Sequence, residues 1–364
     1  MQAGEAAALG VRSVYKDAKV KVLPLADGGE GTVDALVHGL GGTFVFTKVL
    51  NPIGKEIEAR YGIIHQSVAV IEMSAAAGIT LIKPEERNPL LTTTYGVGQM
   101  IRDAIEKGCR KFIIGIGGSA TNDGGIGMLQ ALGFGLYDAH GELVPLGGKG
   151  LSVLGKITTE NVMPTLLDCE FKVACDVTNP LCGENGCSVV YGPQKGATPA
   201  MIAQMDGDLA RYAKLTQTLY PQADPAYPGT GAAGGLGFAF LSFLNAKLES
   251  GVSLVLDAIG FEEEVKQTDV VITGEGRLDG QSVMGKAPLG VAKIAKKHGK
   301  PVLAFAGCIG KEAELCNEHG IDAFFPVLRS VATLEEAMDA QNAKENIQKT
   351  VEQVFRVIKK FTAK

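Results

Sequence analysis

A two-domain α/β protein with a largely parallel sheet is predicted by three features of this chain. Short runs of β-branched and apolar residues alternate with amphipathic stretches along most of the sequence. The strand-like runs end in glycine clusters bearing polar side chains, where open α/β sheets place their ligands. The length, 364 residues, suits two domains at roughly 100–200 residues each.

Strands are expected over residues 20–25, 43–49, 68–73, 111–116, 171–175, 252–256, 269–273, 301–306 and 323–327, each a short apolar run bounded by turn formers. Helices are expected over 31–40, 92–107, 124–132, 199–219, 235–248, 287–298 and 333–360. Thr198-Pro199 is a strong start signal. Thr serves as N-cap, and Pro at the first helical position loses an N–H that had no partner anyway. In the last helix Val351, Val354, Val357 and Ile358 suit packing against a sheet. The stretch from about 137 to 195, richer in Gly and Pro, reads as a second domain or a large insertion.

Composition narrows the partners. The formal charge is −5 with no Lys/Arg block, so nucleic acid is not expected. Glycine numbers 48 residues, about 13% against a typical ~7%, and its clustering marks backbone turns rather than disorder. No apolar run approaches the ~20 residues of a membrane span. The N-terminus has neither a basic n-region nor an apolar h-region, so no secretory signal is expected. Seven cysteines include no CxxC pair, and Cys182 and Cys187 lack zinc-finger spacing. Free thiols in a reducing cytoplasm are the expectation. The five histidines are scattered and suggest neither a triad nor a metal site.

The most informative stretch is Val271-Ile-Thr-Gly-Glu-Gly-Arg-Leu-Asp-Gly-Gln-Ser-Val-Met-Gly-Lys286. A strand over 269–273 breaks into a glycine-rich loop carrying Glu275, Arg277, Asp279, Ser282 and Lys286, then restarts as a helix. Such a loop lets backbone N–H groups and a helix N-terminus approach an anion, and Arg with Lys makes phosphate or carboxylate the expected guest. Four further clusters lie at strand ends: 24–32 with Asp27 and Glu30, 114–125 with Ser119, Thr121, Asn122 and Asp123, 174–181 with Asp176, and 191–196 with Lys195. Plainer roles exist for each. Asp27 and Asp123 suit helix caps, Asp176 suits an Asx turn with Asn179-Pro180, and Lys195 suits loop solvation as well as a phosphate contact.

Two short matches are discounted. Gly280 to Lys286 fits GxxxxGK, but Ala287 stands where a P-loop needs Ser or Thr for Mg²⁺. Gly229 to Gly234 fits GxGxxG, but no strand is expected before it. A nicotinamide-dependent hydroxy-acid oxidoreductase would suit the α/β pattern yet lacks a fingerprint in the right place.

Taken in order, 25–32, 117–125, 175–181, 192–197, 231–237 and 273–282 resemble the motifs of the bacterial glycerate kinase family and span nearly the whole chain. The resemblance implies ATP-dependent, Mg²⁺-assisted phosphorylation of D-glycerate, to 2-phosphoglycerate. It implies two α/β domains with the active site in the cleft between them. One is flavodoxin-like and discontinuous, 1–45 plus 260–364, and the other spans 46–259. Family members open with an apolar strand and an Asp-Ser-Phe-Lys segment, whereas this sequence starts in what resembles the following helix. An unfilled sheet position and a chain that binds nucleotide or glycerate with impaired turnover are therefore a second expectation.

Roles follow from what phosphoryl transfer requires, which is positioning and charge stabilisation. The catalytic residues expected are Asp176 as base, Arg277 and Lys286. Gly117, Gly118, Ser119, Thr121 and Asn122 would cradle the nucleotide phosphates, with Lys195 balancing charge. Arg277 would hold the substrate carboxylate helped by Ser282, with Asp27 and Glu30 also facing substrate. Mg²⁺ would take one carboxylate, Asp123 or Asp279. The expected partners are D-glycerate and ATP alone, with a homodimer compatible with the sequence.

Overall fold

The computed structural model describes residues 1–284 and 286–362. They form two compact units, one from Gly28–Leu254 and the other from Met1–Asp27 with Val255–Lys364.

The Gly28–Leu254 unit holds strands β1 Thr43–Leu50, β2 Glu56–Ile64, β3 Val68–Glu72, β4 Lys111–Gly115, β5 Gly135–Tyr137, β6 Lys156–Thr158, β7 Glu170–Ala174 and β8 Lys247–Glu249. Six of them build one sheet in the order β1-β2-β3-β4-β7-β8, and β5-β6 form a separate ribbon. The β1-β2 and β2-β3 pairs are antiparallel, and β3, β4, β7 and β8 run parallel. The expected domain boundary at 45/46 falls inside β1, whose whole length pairs with β2. The region 137–195 is likewise not an insertion set apart, because it supplies β7 to this sheet.

Apolar residues from the parallel strands meet helices whose spacing suits them. Helix Tyr95–Glu106 buries Val97, Met100, Ile101, Ala104 and Ile105, a stripe along one face. On the sheet Phe112 stacks on Phe171 at 4.7 Å, and Phe171 reaches Phe240 of helix Ala232–Leu244 at 6.1 Å. Helix Pro199–Leu219 starts as its cap signal predicts, with the Thr198 hydroxyl accepting from the Met201 N–H at 3.3 Å.

The second unit carries three parallel strands, β9 Val271–Leu278, β10 Val302–Ile309 and β11 Ala323–Pro326, in the order β11-β10-β9. Leu303 and Phe305 of β10 form a core with Ala7 and Val11 of helix Gln2–Arg12 and with Val351 and Phe355 of helix Ala340–Thr362. Phe355 takes the buried position that the sequence suggested for Val357, which is 58% exposed.

Several local expectations change. Residues 20–25 join no strand. Arg12 donates to the Val20 carbonyl, and Val22 lies against Gly4, so the segment rests on the N-terminal helix. Residues 252–256 belong to helix Gly251–Ala258, not to a strand. Val252, Val255, Leu256 and Ile259 are buried at helical spacing. A short apolar run fits either period, and the following turn decides. The expected helix 333–360 is two helices broken at Asp339, whose carboxylate accepts from the Gln341 and Asn342 N–H groups and caps the second.

Candidate active site

Because β3, β4, β7 and β8 are parallel, their C-terminal ends share one edge. Glu72, Gly115, Ala174 and Glu249 are register partners across it. The chain leaves β4 into Gly117 and Gly118, both exposed, and leaves β7 into Asp176 two residues on. The Asp176 carboxylate accepts from the Gly251 N–H at 3.3 Å, at the start of the helix after β8. The backbone at Gly28 crosses this same edge: a Cβ on Gly28 would stand 2.5 Å from the Ala174 Cβ and 2.7 Å from the Gly251 Cα. Exposed Glu30 follows it into helix Thr32–Leu40.

The rest of the β4 loop turns inward. Ser119 closes a tight turn, its Oγ accepting from the Thr121 N–H at 3.0 Å and lying 2.9 Å from the Thr121 Oγ1. Thr121, Asn122 and Asp123 are each 0% exposed. Asn122 donates to the Ser188 Oγ at 2.9 Å. The Asp123 carboxylate accepts from Thr94 N at 2.8 Å, Thr94 Oγ1 at 2.9 Å, Gly125 N at 3.1 Å and Gly127 N at 3.4 Å. Burial pushes that carboxyl up in pKa, and the four donors pull against it. Lys195 is 2% exposed, and its ammonium donates to the Thr121 carbonyl at 2.6 Å. The accessible part of the expected nucleotide set is thus Gly117 and Gly118. Ser119, Thr121, Asn122 and Lys195 are buried.

The GxGxxG match at 229–234 has a packing role. Ala233, Gly234 and Gly235 take left-handed backbone angles, and a Cβ on Gly234 would lie 2.1 Å from the Thr121 carbonyl oxygen. This segment packs closely on the chain's own backbone, at Pro180 as well as Thr121.

One residue was missed in the sequence. Glu72 ends β3 on the same edge, and its Oε1 accepts from the Val33 N–H at 2.8 Å. No side chain of its own caps helix Thr32–Leu40, so Glu72 supplies the acceptor and the negative charge that its N-terminus favours. Burial pushes the Glu72 carboxyl up, with Asp34 and Glu30 adding to it, while N–H groups of Val33 and Gly31 pull it down. An acidic residue closing a buried strand was the available signal.

The other unit holds the remaining candidates. The strand expected over 269–273 runs on to Leu278, with Gly274 paired to Phe305 and Arg277 to Cys308. Glu275 and Arg277 therefore sit on β9, and the loop starts at Asp279. Arg277 is 62% exposed, with its Nε 3.2 Å from an Asp279 oxygen. Ser282 is buried; its hydroxyl donates to Glu275 and accepts from the Asp279 N–H at 3.1 Å. Lys286 is exposed at the N-cap of helix Ala287–Lys297. Gly285, within the discounted GxxxxGK match, lies outside the described residues.

Among the described residues no group of three or more His, Cys, Asp or Glu side chains is arranged to hold a metal. None of the described helices is long and apolar enough to cross a membrane.

Comparison with known proteins bears on this arrangement. Residues 1–359 match the model of the glycerate kinase family. The chain is 49% identical over 339 residues to a glycerate kinase of Halalkalibacterium halodurans, covering 93% of this chain and 89% of the relative. It is 47% identical over 339 residues to the glycerate 2-kinase of Escherichia coli K12, covering 93% and 88%. A crystal structure assigned as glycerate kinase 2 from Salmonella typhimurium LT2 aligns with a TM-score of 0.91 at 44% identity, over 100% of this chain and 95% of that one. With a family match over almost its full length and relatives of this identity, the chain belongs to the glycerate kinase family and is a phosphotransferase.

Proposed function

We propose that this chain transfers the γ-phosphoryl group of ATP to a hydroxyl of D-glycerate, giving 2-phosphoglycerate and ADP. The observation that carries the reading is the pairing of Gly115 with Ala174. It sets the exposed Gly117–Gly118 backbone and the Asp176 carboxylate at the ends of neighbouring strands, about 4.8 Å apart. An anion cradle beside a carboxylate is the minimum that phosphoryl transfer to an alcohol requires. The name of the Escherichia coli relative, glycerate 2-kinase, favours the 2-phosphate.

In this reading Asp176 takes the proton of the attacking hydroxyl as its oxygen bonds to the γ-phosphorus and the bond to the ADP oxygen breaks. The Gly251 N–H holds the carboxylate in place. The N–H groups at Gly117 and Gly118 donate to phosphate oxygens, with Ser119 and Thr121 shaping the turn and Asn122 anchoring it from within. Arg277 holds the glycerate carboxylate. Its restraint by Asp279 and the Ser282–Glu275 hydrogen bond sets the end of β9 for that task. Exposed Lys286 adds charge for the phosphates, and Asp27 and Glu30 face substrate hydroxyls.

Of the two carboxylates expected to meet Mg²⁺, Asp279 fits better. Both Asp123 oxygens accept from donors sealed from water, whereas Asp279, whose oxygens meet the Gln281 N–H and Arg277, keeps a 17% exposed side chain. Mg²⁺ takes one or two carboxylates and keeps waters and phosphate oxygens, and when bound it would offset phosphate charge. The seven unpaired cysteines fit a reducing cytoplasm as the site of action.

The test is ³¹P NMR of the purified chain with Mg·ATP and D-glycerate. A phosphomonoester signal coupled to a single carbon-bound proton supports the 2-phosphate. A signal coupled to two protons would move the transfer to the 3-hydroxyl. No product from a folded chain would refute turnover by this chain.

A further inference from the structure

Three segments far apart in sequence meet at the carbonyl of Thr121. Lys195 donates to it at 2.6 Å, the Ser119 hydroxyl lies within 3.4 Å, and Gly234 packs its backbone against it. Among the described residues Lys195 has no carboxylate in hydrogen-bond contact, so a nearly fully buried ammonium rests on a neutral oxygen. Taking an ammonium out of water for a neutral partner is costly and needs a return elsewhere. The return available lies in the same turn: Thr121 ends the segment whose exposed members are Gly117 and Gly118.

We infer that Lys195 is a positioning residue for the nucleotide: by holding the Thr121 carbonyl it keeps the 117–121 turn in its anion-accepting shape. Its buried charge also favours a polyanion at that turn. The inference rests on reading the turn as the phosphate cradle. It differs from the expectation that Lys195 touches phosphate itself, which its burial forbids.

Lys195→Met keeps the length and removes the donor and the charge. The full-length variant should show an ATP KM raised about tenfold or more, with the glycerate KM within about twofold, since a charge-assisted hydrogen bond contributes on that scale. Amide hydrogen exchange over 117–121 should speed up together with it. A folded Lys195→Met chain with unchanged ATP KM and unchanged exchange would overturn the inference.

Wild-type enzyme supplies a second measurement that needs no variant. Burial lowers the Lys195 pKa to about 8, so its charge is lost as pH rises through that value. Of the groups that act on it, the Cys187 thiol is pushed up to about 12 by burial and does not titrate in this range. Asp123 is the carboxylate that acts on the ammonium, and Asp206 acts on the neighbouring Cys187. The ATP KM should climb between about pH 7 and 9.5 while the glycerate KM stays level. A level ATP KM over that range sinks the inference even if the variant does not fold. Wild-type turnover at pH 7 tests the underlying kinase reading separately.

Discussion

Gly28→Ala probes the contact that lays the Asp27–Glu30 segment on the edge of the sheet. The new Cβ would stand 2.5 Å from the Ala174 Cβ and 2.7 Å from the Gly251 Cα, at a backbone φ of +83°. Ordinary carbon contacts are about 3.5–4.0 Å, so the backbone must lift by roughly 1–1.5 Å. Left-handed backbone costs an Ala about 1–2 kcal/mol, and overpacking adds about 1–3 kcal/mol. Reduced freedom of the unfolded chain returns about 0.4–1 kcal/mol. The net loss is about 2–4 kcal/mol, a fall in Tm of roughly 4–16 °C for a unit of this size. The same lift carries Glu30 away from the ends of β4 and β7, and a shift near 1 Å costs about a hundredfold in kcat/KM. Thermal unfolding by circular dichroism and a coupled ADP-release assay measure both. A variant with wild-type Tm and kcat/KM within about twofold would show that the segment does not rest on the strand ends in solution, and the reasoning fails.

Other substitutions separate the proposed roles. Asp176→Asn should leave both KM values close to wild type while kcat falls about 10²–10⁴-fold; a near-normal kcat removes it as base. Arg277→Ala, at an exposed position, should leave Tm unchanged and raise the glycerate KM about 10–100-fold. An unchanged glycerate KM would leave the carboxylate to another residue. Asp123→Asn must turn an NH₂ toward N–H and O–H donors that the carboxylate now accepts. With one to three donors stranded at about 1–3 kcal/mol each, a loss of about 2–5 kcal/mol in urea unfolding is expected. Unchanged stability with an altered Mg²⁺ dependence would return Asp123 to the metal.

What the sequence determined by itself is local and periodic. The short apolar runs of β4, β7 and β10 are legible because strands inside a parallel sheet are buried, and the stripe of helix Tyr95–Glu106 because its period turns one face to a core. The Thr198-Pro199 start is legible because a cap is a contact within four residues. Glycine clusters at strand ends marked the candidate site regions for a similar reason, since a tight exit from a strand needs them.

Tertiary structure decided whatever depends on a distant partner. Glu72 reaches a helix start 39 residues earlier in sequence, and Lys195 reaches a carbonyl 74 residues away, so neither role leaves a local trace. Nor does burial: Asp27 and Asp123 look alike as acidic residues beside glycines, yet one is exposed and the other sealed under four donors. The run 252–256 is apolar in either reading, and packing made it a helix. Hydrophobic pattern selects the elements, but which carboxylate meets water and which amine meets a carbonyl is set only when the elements close on one another.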